Sequence, residues 1–304
     1  MKRVDLAIIG AGCAGLALAA RLTEAGPCAP ETVLLDGRKD YTNDRTWGFC
    51  APASSPWRVL ARARWPAWRM GRSGGDERKH RLGQSPYYCV AAIDYYTDRR
   101  RAIEAHPGVA LKLSTPVEAV DADGTGCRIV TPAGTFHARQ VVDTRPNLDA
   151  APLLWHQVHG LAVRTAESCF DTSAVELMTD MQCDEAGFVF TYMLPFAPDQ
   201  ALVEVTRFVP EPLSSDRLQR DIRRLLVERT GNAGVEVLRH EGGCLPMGCW
   251  PTVRSQHSPI VRAGSGGGAL RSASGYGFLR IQDWAGRCAR NLLETGRALP
   301  HPPE

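Results

Sequence analysis

The chain has 304 residues, with 36 Lys and Arg against 33 Asp and Glu and a formal net charge of +3. That balance lacks the concentrated cations that bind phosphate backbones, so nucleic acid is not expected as a partner. With 23% charged and 44% hydrophobic residues, the composition excludes collagen, coiled coil and wholesale disorder, and the length suits one large domain or two modest ones.

Ten cysteines are scattered along the chain: Cys13, Cys28, Cys50, Cys89, Cys127, Cys169, Cys183, Cys244, Cys249 and Cys288. They form no CxxC pair and have no His at ligand spacing. They read as reduced thiols of a cytosolic protein, and no metal site is expected. No stretch approaches the roughly 18 apolar residues of a membrane span. Met1-Lys2-Arg3 before an apolar run looks like a signal peptide, but Asp5, Gly10, Gly12, Gly15 and Gly26 interrupt it. A cytoplasmic protein is therefore expected, with attachment to a membrane surface left open.

Val4–Ile9 reads as a buried parallel strand. It runs into Gly10-Ala11-Gly12-Cys13-Ala14-Gly15, then a helix through Leu16–Leu22 stopped at Gly26-Pro27, then a strand Thr32–Leu35 ending at Asp36. This is the order of a dinucleotide-binding turn. Gly10 permits the turn, Gly12 lets backbone approach a pyrophosphate, and Gly15 lets the helix pack on the strand. The loop residues Gly10, Ala11, Gly12, Cys13, Ala14 and Gly15 then face the phosphates at the positive end of a helix. Asp36 is placed to accept hydrogen bonds from a ribose, which favours FAD or NAD over NADP.

Residues 42–85 hold Trp47, Trp57, Trp65 and Trp68 with weak periodicity, and read as an irregular segment or part of a second domain. A helix is expected over 87–106, starting at Tyr87 or Ile93, with Arg99-Arg100-Arg101 on a solvated face. Val117–Asp121, Arg128–Thr131 and Thr135–His137 read as a meander, and Gln140–Asp143 as a further buried strand. Alternation in Gly160–Val163, Phe188–Tyr192 and Ala201–Val205 predicts an antiparallel sheet walling a substrate cavity. Leu218, Ile222, Leu225 and Leu226 mark an amphipathic helix over Arg217–Arg229. Glycines return at Gly264, Gly266 and Gly275, before a helix over Leu279–Thr295. The end, with Pro300, Pro302 and Pro303, reads as a tail.

Several segments resemble those of bacterial flavoprotein-type lycopene cyclases. They are Asn43–Phe49 after the second strand, Trp155–Gly160, the acidic segment Leu202–Phe208, Glu241–Met247, and Gly264–Phe278 with its Gly275-Tyr276-Gly277-Phe278. The resemblance implies an α/β fold: a Rossmann-type FAD-binding domain (GR2-like) with an inserted antiparallel-sheet substrate domain. On that plan, 1–47, 98–150 and 255–297 form the FAD domain and 48–97 with 151–254 the substrate domain. Residues 298–304 are then a tail, and truncation before a further helical segment stays open.

The resemblance also implies a reaction: acid-catalysed, redox-neutral closure of the acyclic ends of lycopene, or a related acyclic carotene, to β-ionone rings. Reduced FAD stabilises the cation electrostatically, NAD(P)H serves as reductant, and a polyene substrate implies peripheral contact with a membrane surface. Glu204, within the apolar Ala201-Leu202-Val203 and Val205, is the candidate acid, because burial raises a carboxyl pKa. Alternation alone also allows it a solvated face. Glu241 is the candidate for proton removal. Arg45 is a candidate cofactor contact, and Gly264, Gly266 and Gly275 would offer N–H groups to the same cofactor. Two other readings stay open: a redox flavoprotein of this fold, such as a monooxygenase or prenyl reductase, and an inactive fragment that binds an isoprenoid.

Overall fold

The computed structural model describes residues 2–146, 152–231, 234–248 and 258–302. It divides into two units. One comprises Met1–Thr42, Ile93–Ala150 and Cys249–Glu304, and the other Asn43–Ala92 and Ala151–Gly248. Cys249 and Pro303, and the ends of the expected segments near 147–151 and 249–257, lie outside the described residues.

In chain order the first unit opens with β1 (Lys2–Ile9), α1 (Cys13–Thr23) and β2 (Thr32–Leu35). The second contributes β3 (Thr46–Cys50), β4 (Ala61–Trp65), β5 (Ala67–Arg72), β6 (Glu77–Arg81) and β7 (Tyr87–Ala91). The chain returns through α2 (Ala92–Glu104), β8 (Val109–Lys112), β9 (Ala119–Ala122), β10 (Cys127–Thr131) and β11 (Gly134–Asp143). The second unit is completed by β12 (Leu154–Thr165), β13 (Val175–Asp184), β14 (Gly187–Ala197), β15 (Gln200–Val209), α3 (Ser215–Thr230) and β16 (Val235–Met247). The first closes with β17 (Ile260–Arg262) and α4 (Phe278–Thr295). This is a mixed α/β fold.

The first unit is built on a sheet of order β8-β2-β1-β11-β10-β9, with β17 beside the end of β11. β8, β2, β1, β11 and β17 run parallel, and β10 and β9 form an antiparallel meander. The apolar run of β1 is central because it has partners on both edges: Ile8 lies opposite Leu34 on one side and Val142 on the other. Val4, Ala7, Ile9, Val33, Leu35, Ile129 and Val141 belong to one buried core cluster of this unit.

The structure refines four places in the local patterning. The helix expected to start at Tyr87 or Ile93 begins at Ala92, and Tyr87–Ala91 before it is a strand. All five of its residues are buried, and its aromatic and β-branched side chains suit a pleated surface. The expected strands Thr135–His137 and Gln140–Asp143 are one strand, β11, which changes neighbours midway from β10 to β17. Residues 42–85, read as an irregular segment or part of a second domain, hold four short strands and fall almost wholly in the second unit. Their alternation is weak because β6, Glu77–Arg81, is exposed throughout. Residues 298–301 pack on α4: the Trp284 indole donates to Leu299 O at 2.8 Å, and the buried His301 ring stacks on Trp284.

The second unit has a seven-stranded sheet of order β16-β12-β15-β14-β13-β5-β6 and a three-stranded sheet of order β3-β7-β4. The large sheet is antiparallel except where β13 meets β5. Its two faces are covered differently. Ile222, Leu225 and Leu226 of α3 pack on Leu161, Val163, Val203 and Val205. Trp65, Tyr87 and Cys89 of the small sheet pack on Leu194 and Leu202, on the opposite face.

Arg207 of β15 fastens α3 to the sheet. It is 1% exposed. Its guanidinium donates to Asp221 Oδ2 at 3.0 Å and, as a two-pronged fork, to Asp184 at 3.1 and 2.9 Å. Removing one partner of a buried ion pair strands the others. Arg207→Met is therefore expected to lower stability by about 3–5 kcal/mol in urea unfolding. A midpoint equal to the parent's would show the network dispensable.

Candidate active site and cofactor cradle

The glycine loop leaves β1 with Gly10 at φ +92°, and Gly10 N–H donates to Leu35 O at 2.8 Å. A Cβ on Gly15 would sit 1.9 Å from Gly10 O, so only glycine lets α1 approach the turn. A Cβ on Gly12 would meet nothing within 4 Å, which leaves open space over the start of α1. Asp36 braces this loop. It accepts from Ala11 N–H at 2.5 Å and from Arg38 N–H at 2.7 Å.

Two tyrosines complete the brace. Tyr41 donates its hydroxyl to Ala11 O, and Tyr95 donates to Cys13 O, both at 2.9 Å. Neither tyrosine was legible as a loop residue, since Tyr95 reaches back 82 positions.

Gly264 comes to the same place. At φ +65° its added Cβ would lie 3.2 Å from Ala14 Cβ and 3.0 Å from Thr144 O. Thr144 in turn donates to Gly10 O at 2.8 Å. Gly266 lies in the short turn Ser265–Gly267, and Gly275 in a turn closed by its N–H on Arg271 O. The helix after them, expected from Leu279, begins at Phe278 and is capped by Gly277. Thus Gly10–Gly15, Asp36 and Gly264 are brought together in one unit. Arg45 is in the other, ion-paired with Asp44 at 2.9 Å. The open space over Gly12 and the helix N-terminus behind it fit a dinucleotide pyrophosphate.

The second constellation lies in the second unit. Gly160 of β12 is opposite Glu204 of β15 on one side and Glu241 of β16 on the other. The two carboxyl groups meet across the glycine. A Cβ there would stand 2.8 Å from both Glu204 Cγ and Oε1, and 3.2 Å from Glu241 Cγ.

Glu204 is fully buried, and its pKa is held well above the ordinary carboxylate range. Desolvation is the main cause, followed by the negative charge of Glu241 and a hydrogen bond to it; Arg239 acts the other way. Burial and the neighbouring charge thus favour the protonated form of Glu204. Glu241 is ion-paired to Arg239 and accepts from Thr46 Oγ1 at 2.9 Å. Arg239 is itself fixed, donating to Asn43 O and to Thr46 Oγ1 at 3.1 Å each.

The small sheet closes over the pair. The Cys89 thiol is pushed up to about 12, first by burial and then by the charge of Glu241. Gly48, opposite Cys89, leaves room for two phenols. The hydroxyls of Tyr87 and Tyr192 lie 3.0 Å apart, and a Cβ on Gly48 would stand 2.1 Å from the former. Tyr192 is the neighbour of Glu204 across β14 and β15. This roof answers the question that alternation left open: Glu204 faces a second sheet. Thr46, Gly160 and Arg239 escaped sequence reasoning. Thr46 and Glu241 are 195 positions apart, beyond any local spacing.

The fold recurs in solved structures of low sequence identity. A geranylgeranyl bacteriochlorophyll reductase-like protein from Thermoplasma acidophilum matches with TM-score 0.74 at 12% identity, over 97% of this chain and 80% of the other. The p-nitrophenol 4-monooxygenase PnpA from Pseudomonas putida matches with TM-score 0.73 at 14% identity, over 98% and 82%. Halogenase PltM, solved in complex with FAD, matches with TM-score 0.69 at 12% identity, over 98% and 71%. These likenesses show the fold: a mixed α/β, Rossmann-type architecture.

The sequence defines the family. Residues 5–301 match the family described as "Lycopene cyclase protein", and the chain belongs to it. It is 23% identical to a lycopene beta-cyclase of Pseudescherichia vulneris over 286 residues, 90% of this chain and 70% of the relative. It is 24% identical to a lycopene beta-cyclase of Pantoea ananas over 306 aligned positions, 98% of this chain and 77% of the relative.

The meeting of the carboxyls depends on the absence of a side chain at position 160. Gly160→Ala is expected to lower stability by about 1–3 kcal/mol in urea unfolding, as overpacking a buried site does. Gly243→Ala, on the same strand face with nothing within 4 Å of its added Cβ, should stay within about 0.5 kcal/mol of the parent. Equal losses in both would contradict the packing argument.

Proposed function

We propose that this protein is a lycopene β-cyclase that closes acyclic carotene ends by proton transfer from Glu204, without net redox. The observation that carries the reading is the buried carboxyl of Glu204, its pKa held well above the ordinary range, paired over Gly160 with the ion-paired Glu241. Protonating an unactivated alkene needs an acid kept dry, and the resulting cation needs nearby negative charge.

Glu204 gives its proton to the terminal double bond of the ψ-end. The neighbouring alkene attacks the tertiary cation and forms the ring. The ring cation then loses a proton to the Glu204–Glu241 pair, which restores the starting state. No atom or electron is gained or lost. Glu241 and Arg239 fix the negative charge beside Glu204, so the proton rests on one oxygen of the pair. The roof of Cys89, Tyr87 and Tyr192 excludes water that would quench a cation.

We assign FAD to Gly10–Gly15, Asp36 and Gly264, whose open loop and helix N-terminus suit its pyrophosphate. When bound and reduced, with NAD(P)H as reductant, the flavin supplies negative charge that stabilises the cation. Lycopene or a related acyclic carotene would be drawn from a membrane surface, although no described helix is long and apolar enough to cross one.

Pigment analysis in lycopene-accumulating cells tests the reading. The parent chain should yield cyclised carotene. Glu204→Gln should retain the flavin and yield roughly 100-fold less product or lower, the range for losing a general acid. Unchanged lycopene beside a parent protein that holds FAD would reject the cyclase assignment. Consumption of NAD(P)H in step with product would favour the redox reading.

A further inference from the structure

The face of the large sheet that carries the carboxyl pair continues beyond it, within the second unit. The register of β14, β15, β12 and β16 arranges this face in rows. One row is Tyr192, Glu204, Gly160 and Glu241. Two residues further along lie Phe190, Thr206, Val158 and Gly243. Two more residues along lie Phe188, Phe208, His156 and Leu245. The last row is four residues from the pair, about 13 Å at the rise of a strand.

The rows beyond the pair carry no charged side chain. Their rings are in mutual contact. Phe188 and Phe208 stack with centroids 6.1 Å apart and planes 7° apart. Phe190 lies 5.7 Å from each of them, and His156 lies 5.0 Å from Phe208. His156 belongs with the phenyl rings rather than with bases. Its Nδ1 is buried with no hydrogen-bond partner among the described residues, and burial lowers its pKa to about 4.

The lane is open at its outer end and closes toward the pair, where Phe190 and Thr206 are buried. Phe188, Phe208, His156, Val158 and Leu245 are half-buried, whereas Glu204 is buried. A Cβ on Gly243 would meet nothing within 4 Å. The face thus runs from an open, uncharged, aromatic end to a closed, proton-bearing end.

We infer that Phe188, Phe190, Phe208 and His156 bind the conjugated arm of an acyclic carotene whose reacting end lies at Glu204 and Glu241. This rests on the cyclase reading. A flat, uncharged conjugated chain suits such a lane for three reasons. It needs no hydrogen bonds, it presents π-faces to the rings, and it is long enough to reach the pair while lying over them. A charged ligand would find no counter-ion in either outer row, whose only polar side chains are Thr206 and His156. The rings are then specificity-determining: they bind the part of the substrate that does not react.

The test is polyene binding, read apart from turnover. Glu204→Gln holoenzyme, loaded with FAD, is titrated with lycopene in detergent micelles. The readout is the circular dichroism that an achiral polyene acquires in a chiral site. Phe188→Leu/Phe208→Leu in this background keeps apolar bulk but loses two rings, and should bind about tenfold more weakly. Gly243→Trp, at an exposed position, fills the open space and should abolish the signal while flavin content stays unchanged. In the active enzyme, the double leucine variant should raise KM and leave kcat unchanged. Undiminished affinity and signal in both lane variants would overturn the inference and leave the cyclase reading standing. No polyene signal from any form, parent included, would overturn both.

Discussion

Two carboxyl groups meet across a glycine in a space closed by a second sheet, and the rest of the second unit is arranged so that this is tolerable. Like charges in low dielectric cannot both persist at that distance. One group holds a proton, and the other is matched by a cation. The pattern is visible in the partners: Arg239 and Thr46 serve Glu241, while Glu204 has the proton and the apolar surroundings. The asymmetry lies in the sequence of one strand, since Arg239 and Glu241 are two positions apart on β16 and share a face. The small sheet matters because it removes water. Without it Glu204 would lie on a solvated face and lose the desolvation that is the main cause of its raised pKa.

The first unit solves a different problem. A glycine loop must hold its carbonyls and amides in one conformation while leaving its surface open. It is braced from outside by side chains: Asp36 at one amide, Tyr41 and Tyr95 at two carbonyls, and Thr144 at Gly10 O. Gly264 reaches the same loop from the C-terminal part of the chain because nothing larger fits between Ala14 and Thr144. The cradle is thus assembled from four separated segments, of which only the first carries a recognisable spacing.

That division explains what the sequence made legible. The strand, glycine loop, helix and acid of residues 4–36 are local, and each step follows from a turn or a packing distance. The antiparallel sheet of the second unit was legible in its alternation, and Glu204 in the apolar run around it. The roof over Glu204 was not, because β3 and β7 are short strands with no helix or sheet periodicity of their own. Tyr87–Ala91 was drawn toward the helix that follows it. The roles of Gly160, Thr46 and Arg239 depend on strand register, which no local pattern reports. Glu241 was named as a partner in the chemistry, but its contact with Glu204 required β12 to place a glycine between them.

The central claim is the protonation state of Glu204 in the folded enzyme. Infrared spectroscopy of the holoenzyme across neutral pH, with glutamate carboxyls labelled by carbon-13, measures it directly. The account predicts a protonated carboxyl band at neutral pH that disappears in Glu204→Gln. Because the folded pKa lies above the ordinary value of 4.5, that band should persist as pH rises past 4.5 and fade only at higher pH. Absence of the band at neutral pH, or its survival in Glu204→Gln, would contradict the account.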